Sequence, residues 1–148
     1  MSLDADIALL ASVRFFEGFG PEEIRLIAFG VEPRRLADGE RLFKEGAYSD
    51  GAYVVRSGAL LLSQEGVPSV TRHGPPDIVA PLALVSRLEH AQTATAEGDG
   101  EVVKISRQLF RRVLEEYPHL ASFLDARIRH SLAAMGPELD RILAFLEK

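Results

Sequence analysis

Asp50-Gly51-Ala52-Tyr53-Val54-Val55-Arg56-Ser57-Gly58-Ala59-Leu60-Leu61-Leu62-Ser63-Gln64-Glu65-Gly66 decides the fold class. Two apolar runs, Ala52 to Arg56 and Ala59 to Gln64, are separated by Ser57-Gly58 and closed by Glu65-Gly66. Runs this short, bounded by glycine, read as strands. Ser57-Gly58 reads as a tight hairpin turn and Glu65-Gly66 as another, because glycine takes positive φ without steric cost. Working outward, the same punctuation frames Val31 to Leu36, Arg41 to Phe43, Ser69 to Arg72, Asp77 to Val79, Gln92 to Ala96 and Glu101 to Ile105, with Asp99-Gly100 as a further turn. Short runs recurring every eight to twelve residues or so predict an all-β sandwich or barrel over 31–106. Pro81 to Val85 interrupts it with a single helical turn, bounded at 81–86.

Helical patterns flank the β region. Asp4 or Asp6 is placed to cap a short helix carrying Ile7, Leu9, Leu10 and Val13, and Phe15, Phe16 and Phe19 then crowd into a turn beside Gly18 and Gly20. Pro21 opens a second helix, with Glu22 and Glu23 in its first turn and Ile24, Ile27 and Ala28 on one face as far as Gly30. Ser106 caps a third helix lined by Leu109, Phe110, Val113 and Leu114, which stops at Tyr117-Pro118. A long final stripe follows: Leu120, Phe123, Leu124, Ile128, Leu132, Met135, Leu139, Ile142, Leu143 and Leu146, with a kink expected at Gly136-Pro137.

The 148 residues suffice for one domain with a hydrophobic core, so we expect a single domain over 1–148: helices at 4–30, β-roll at 31–106 and helices at 107–148. Hydrophobic residues make up 47% and charged residues 26%, an ordinary globular composition that disfavours disorder or an end-to-end coiled coil. A net charge of −5 repels a phosphate polymer. The absence of cysteine excludes disulfides, thiolate metal sites and a cysteine nucleophile. The most apolar stretch, Ile78 to Ser86, ends at Arg87 and is too short to span a bilayer, and Asp4 and Asp6 oppose a secretory leader, so the expected location is cytoplasmic.

Four stretches together resemble the cyclic-nucleotide-binding domain of catabolite activator proteins and kinase regulatory subunits. Gly39-Glu40-Arg41-Leu42-Phe43-Lys44-Glu45-Gly46 is similar to the family's Gly-Glu, aliphatic, aromatic, Glu-Gly strand pair. Asp50 to Gly58 resembles its next strand, and Leu82-Ala83-Leu84-Val85 followed by Thr93-Ala94-Thr95-Ala96 resembles the phosphate-binding cassette and the strand leaving it. Ile105, Ser106, Arg107, Phe110 and Leu114 resemble the strand-to-helix passage after the roll. Individually these glycines and aromatics are ordinary turn and core residues; their order and spacing carry the resemblance. The implied fold is α+β, mainly β: a double-stranded β-helix (jelly roll) of about eight strands, flanked by N-terminal helices and a long C-terminal helix.

The implied ligand is a cyclic nucleotide or another small anion, bound weakly or not at all. An anionic cyclic phosphate needs backbone N–H groups at a helix start plus a guanidinium, and its ribose needs a carboxylate. The family opens its cassette helix with Gly-Glu and supplies Arg some nine residues later. Ungapped alignment on Leu82 and Ala83 puts Ala80 at the Gly, Pro81 at the Glu and His90 at the Arg; one inserted residue moves the last toward Gln92. Pro81 offers neither carboxylate nor N–H, and Ala80 adds a Cβ. Each charge-assisted bond lost with the guanidinium is worth roughly 1.5–3 kcal/mol, so two or three losses weaken binding by roughly a hundredfold to ten-thousandfold or more.

Arg87 reads either as a solvated loop residue or as a substitute cation, and His90 either as a half-exposed strand-edge residue or as an anion binder when protonated. One alternative is therefore a genuine cyclic-nucleotide sensor with a rearranged pocket using Arg87, Thr93 and backbone donors. A second is a cupin-type metal enzyme with His73 near His90; it lacks a third ligand from the roll, because His119 and His130 fall on the C-terminal helices. No nucleophile-elbow, HExxH, P-loop or dinucleotide fingerprint is present. The leading expectation is a non-catalytic signalling module with a degenerate cassette, no cofactor and no metal. Only Gly136 to Lys148 follow Met135, so direct DNA binding is not expected, whereas a homodimer through the C-terminal helix and a protein partner are.

Overall fold

The computed structural model describes residues 2–133. Helix α1 (Leu3–Ala11) is capped by Ser2, whose hydroxyl accepts from the Ala5 N–H at 3.1 Å. Neither Asp4 nor Asp6 is the cap; both fall inside the first turn, where the helix dipole favours a carboxylate. A 3-10 turn at Arg14–Phe16 and helix α2 (Pro21–Gly30) follow, the latter started by its proline as expected.

Six strands form one antiparallel sheet in the order β1-β6-β3-β4: β1 (Glu32–Leu36), β2 (Arg41–Phe43), β3 (Gly51–Gln64), β4 (Val67–His73), β5 (Ile78–Val79) and β6 (Thr93–Ser106). β2 adds to β6 and β5 to β3. The eight expected runs become six strands because two supposed turns are bends within long strands. β3 passes through Ser57-Gly58 and β6 through Asp99-Gly100, paired from Gly51↔Ser106 to Ser63↔Thr93 with register shifts around Ser57. The backbones nearly touch there: a Cβ on Gly100 would lie 2.5 Å from the Ser57 carbonyl oxygen, and one on Gly58 2.9 Å from that of Asp99. Glycine here serves close approach within a bend rather than chain reversal. Glu65-Gly66 does reverse the chain, joining β3 to β4.

Period-two alternation gives β3 and β6 two apolar faces. Tyr53, Val55, Leu60 and Leu62 of β3, with Ala94, Ala96 and Val102 of β6, fill the interior of the roll beside Leu36, Leu42 and Val79. Ala52 and Val54, with Val103 and Ile105, face the other way into a second core built from Leu10, Val13, Phe16, Ile24, Ile27, Phe110, Val113, Leu120 and Leu124. The phenylalanine cluster belongs to this core: Phe16 packs on Phe19 and Phe110 with ring centroids 5.3 and 6.1 Å apart. Arg56 ties α1 to the roll by pairing with Asp6 and with Glu101, the latter at 2.9 Å.

Ser106 accepts from the Leu109 N–H at 3.0 Å and caps helix α3 (Arg107–Glu116). A 3-10 turn at Pro118–Leu120 leads to helix α4 (Ala121–Ala133). Leu120 and Leu124 are buried on the second core as the stripe predicts, but Phe123 is partly exposed, lying over Gly18. The rest of the stripe from Met135, the Gly136-Pro137 kink included, lies outside the described residues. Among the described residues no helix is long and apolar enough to cross a membrane.

Candidate ligand groove at the short helical turn

β5 is paired to β3 through Tyr53↔Val79 and Val54↔Ile78, which fixes the entry to the interrupting turn. Ala80 then adopts φ 60°, ψ 47°, the left-handed conformation glycine takes freely, at a cost to alanine of roughly 1–2 kcal/mol. The turn that follows is a 3-10 helix, Pro81–Leu84, shorter than the expected 81–86. Pro81 brings no N–H, and the N–H of Ala83 is already given to the Ala80 carbonyl at 3.0 Å. Leu82, Ala83 and Leu84 are buried and anchor the turn between the two cores.

Arg107, the first residue of α3, holds this turn from behind. Its guanidinium donates to the carbonyls of Ala83 at 3.0 Å and Ser86 at 3.1 Å, and bidentately to that of Ser49 at 3.2 and 2.9 Å. Burial away from water opposes its charge, and Asp50 nearby favours it. In the sequence Arg107 stands out only as part of a strand-to-helix resemblance. A usable signal existed: a cation at a helix N-terminus opposes the dipole and must be held by other partners.

His90 is 8% exposed, not half-exposed at a strand edge. Its ring stacks on Phe43 with centroids 3.8 Å apart and planes 10° from parallel, and Phe43 in turn stacks on Tyr53 at 5.8 Å. The backbone of His90 is fixed by bonds to Ala47 and Gly46 at 2.8 and 2.9 Å. Burial lowers the pKa of the imidazole, so it is neutral at neutral pH, whereas the field of Asp50 acts weakly the other way.

Above these residues opens a groove of about 1130 Å³. Its floor includes Phe43, Leu62, Val79, Leu82, Ala83 and His90, and Ala80, Pro81 and Gln92 line it as well. Arg14 from the first 3-10 turn, and Ala126, Arg127 and His130 from α4, also line it. Arg87 and Thr93 are elsewhere. Arg87 is exposed, its guanidinium 4.8 Å over the Tyr48 ring, and the Thr93 hydroxyl accepts from the Glu45 N–H at 2.9 Å beside a smaller hollow lined by Lys44 and Glu45. His73 shares the groove with His90, but its ring is engaged by Asp77 and Thr71, each at 3.2 Å. Among the described residues no three or more His, Cys, Asp and Glu side chains are grouped to hold a metal ion.

Residues 33–117 match the family model described as the cyclic nucleotide-binding domain. The chain belongs to that family. A cyclic nucleotide-binding-like protein from Brucella abortus bv. 1 str. 9-941 shares 40% sequence identity and a TM-score of 0.66, over 74% of this family member and 97% of that chain. The cyclic AMP receptor protein of Thermus thermophilus is 26% identical over 136 residues, 89% of this chain. The regulatory domain of Toxoplasma gondii PKA, crystallised with cAMP, shares the fold at a TM-score of 0.75 with 21% identity over 87% of this chain. The chain spans 62% of the length of the Thermus relative and 49% of the Toxoplasma one. The fold is thus the jelly roll of cyclic nucleotide-binding domains.

Proposed function

We propose that the chain is a non-catalytic regulatory module of the cytoplasm whose cassette does not hold cyclic AMP or cyclic GMP in the family's usual mode. One observation carries this reading. At the position aligned with the phosphate-binding Arg stands a buried, neutral imidazole stacked on Phe43. A neutral ring gives no charge-assisted, bidentate grip on an anion, and Pro81 beside it contributes neither a carboxylate for the ribose nor an N–H for the phosphate. The left-handed backbone at Ala80 supports aligning this position with the family's glycine, since the shape of the turn persists after its binding groups have changed.

Titration calorimetry with cyclic AMP and cyclic GMP tests the reading: no saturable heat is expected at micromolar concentration, and a one-to-one micromolar isotherm with either nucleotide overturns it. A genuine sensor with a rearranged pocket remains the second reading, favoured by the open groove and by Arg14 and Arg127 on its helical wall. In that case the anion faces α4 rather than the cassette. Output through a second copy or a protein partner completes the proposal. Light scattering is expected to give twice the chain mass, and a strictly monomeric mass at high concentration removes the homodimer.

A further inference from the structure

The charged residues that line the groove sit at its rim, and they are of both signs: Arg14 and Arg127 against Glu17, Asp77 and Glu89. All are exposed or half-buried, so they confer no strong preference for a charged ligand in the depth. The floor is different. Leu62, Val79, Leu82 and Ala83 are buried apolar residues; of the two buried polar side chains beside them, the Ser49 hydroxyl donates to the Leu88 carbonyl at 2.8 Å, which leaves His90 to meet an occupant.

Neither ring nitrogen of His90 has a hydrogen-bond partner among the described residues. The side-chain polar atom sealed from solvent without a partner there is the Ser86 hydroxyl, not the imidazole. The edge of the His90 ring is therefore open to the groove while one of its faces is covered by Phe43. A neutral imidazole presents one donor and one acceptor to the groove, and an apolar occupant that displaces solvent from them without a hydrogen bond of its own loses affinity, whereas one that carries a polar atom there keeps it. The volume suits a small molecule.

We propose that the groove takes an uncharged, planar aromatic ligand carrying one hydrogen-bonding group, with its ring on the apolar floor and its polar atom on His90. This rests on the reading that the short helical turn holds no cyclic phosphate. The full chain contains no tryptophan, so the fluorescence of a naphthalene-type probe can be excited apart from the protein. Titrations near neutral pH compare 2-naphthol, naphthalene and naphthalene-2-sulfonate. Saturable 2-naphthol binding is expected, roughly three- to tenfold tighter than naphthalene and roughly tenfold or more tighter than the sulfonate.

His90→Phe keeps an aromatic ring beside Phe43 and is expected to abolish the advantage of naphthol over naphthalene while naphthalene still binds. His90→Gln keeps a donor and an acceptor and is expected to restore the advantage. Absence of saturable naphthol binding, equal affinity for the sulfonate, or an advantage that survives His90→Phe overturns the proposal. The ligand comparison on the unaltered chain decides it even where a variant does not fold. Cyclic AMP added as a displacer separates the two readings: micromolar displacement of naphthol overturns the reading of the turn, while the naphthol, naphthalene and sulfonate order still decides the chemistry of the groove.

Discussion

Under the proposed alignment position 90 holds an imidazole where the family has a guanidinium, and this imidazole is buried and stacked on Phe43 where an always-charged group would demand partners. Its lowered pKa has a definite sign in stability. As pH falls below the unfolded value of about 6.5, the unfolded chain takes up a proton that the native state still refuses. Stability from this group is therefore full above that value, declines as pH falls from it to the lowered native pKa, and levels off below. Urea denaturation across that window is expected to show a shallower acid loss in His90→Phe than in the unaltered chain. An identical pH profile in the two proteins refutes the assignment. The residue types at 80, 81 and 90 are legible in the sequence and their alignment with the family's cassette is the proposal's; the stack on Phe43 is not legible, because it joins β2 to a loop that local patterning cannot place beside it.

In the sequence glycine marks the end of an element, and at Glu65-Gly66 it does so in the structure. At Gly58 and Gly100 it marks two strands bending together, a distinction that depends on a partner backbone more than forty residues away and so leaves no local trace. The two roles predict different mutational costs. Gly66 has φ +81° with nothing within 4 Å of an added Cβ, so Gly66→Ala is expected to cost about 1 kcal/mol from backbone strain alone. Gly100→Ala drives a Cβ into the Ser57 carbonyl oxygen and is expected to cost roughly 2–3 kcal/mol. Denaturant midpoints of the two variants make the comparison, and equal losses contradict the bend. The helices were easier to read: Pro21, Ser106 and Tyr117-Pro118 act through bonds to their own neighbours, and each stands where local chemistry puts it.

Taken whole, the molecule is a roll and a helical layer joined along the two faces of β3 and β6, with Arg107 crossing from the helical layer to the helical turn of the groove. Arg107→Ala leaves the carbonyls of Ser49, Ala83 and Ser86 without that donor, and an expected loss of about 2 kcal/mol follows. Hydrogen exchange should quicken at Leu82 to Arg87 ahead of β3 and β6; uniform quickening throughout the sheet would mean that Arg107 supports the whole fold rather than the turn. Ala80 to Ala83, His90 and Gln92 were legible as groove residues from the family-like order of motifs, but Arg14, Arg127 and His130 on its helical side were not, nor was this long-range fastening, because its acceptors belong to the main chain. That choice of acceptor has a lasting effect. A peptide oxygen is present whichever amino acid occupies positions 49, 83 and 86, so descendants of this sequence can exchange all three side chains without unlatching the turn, and the surface that meets a ligand is free to drift while its mounting stays put.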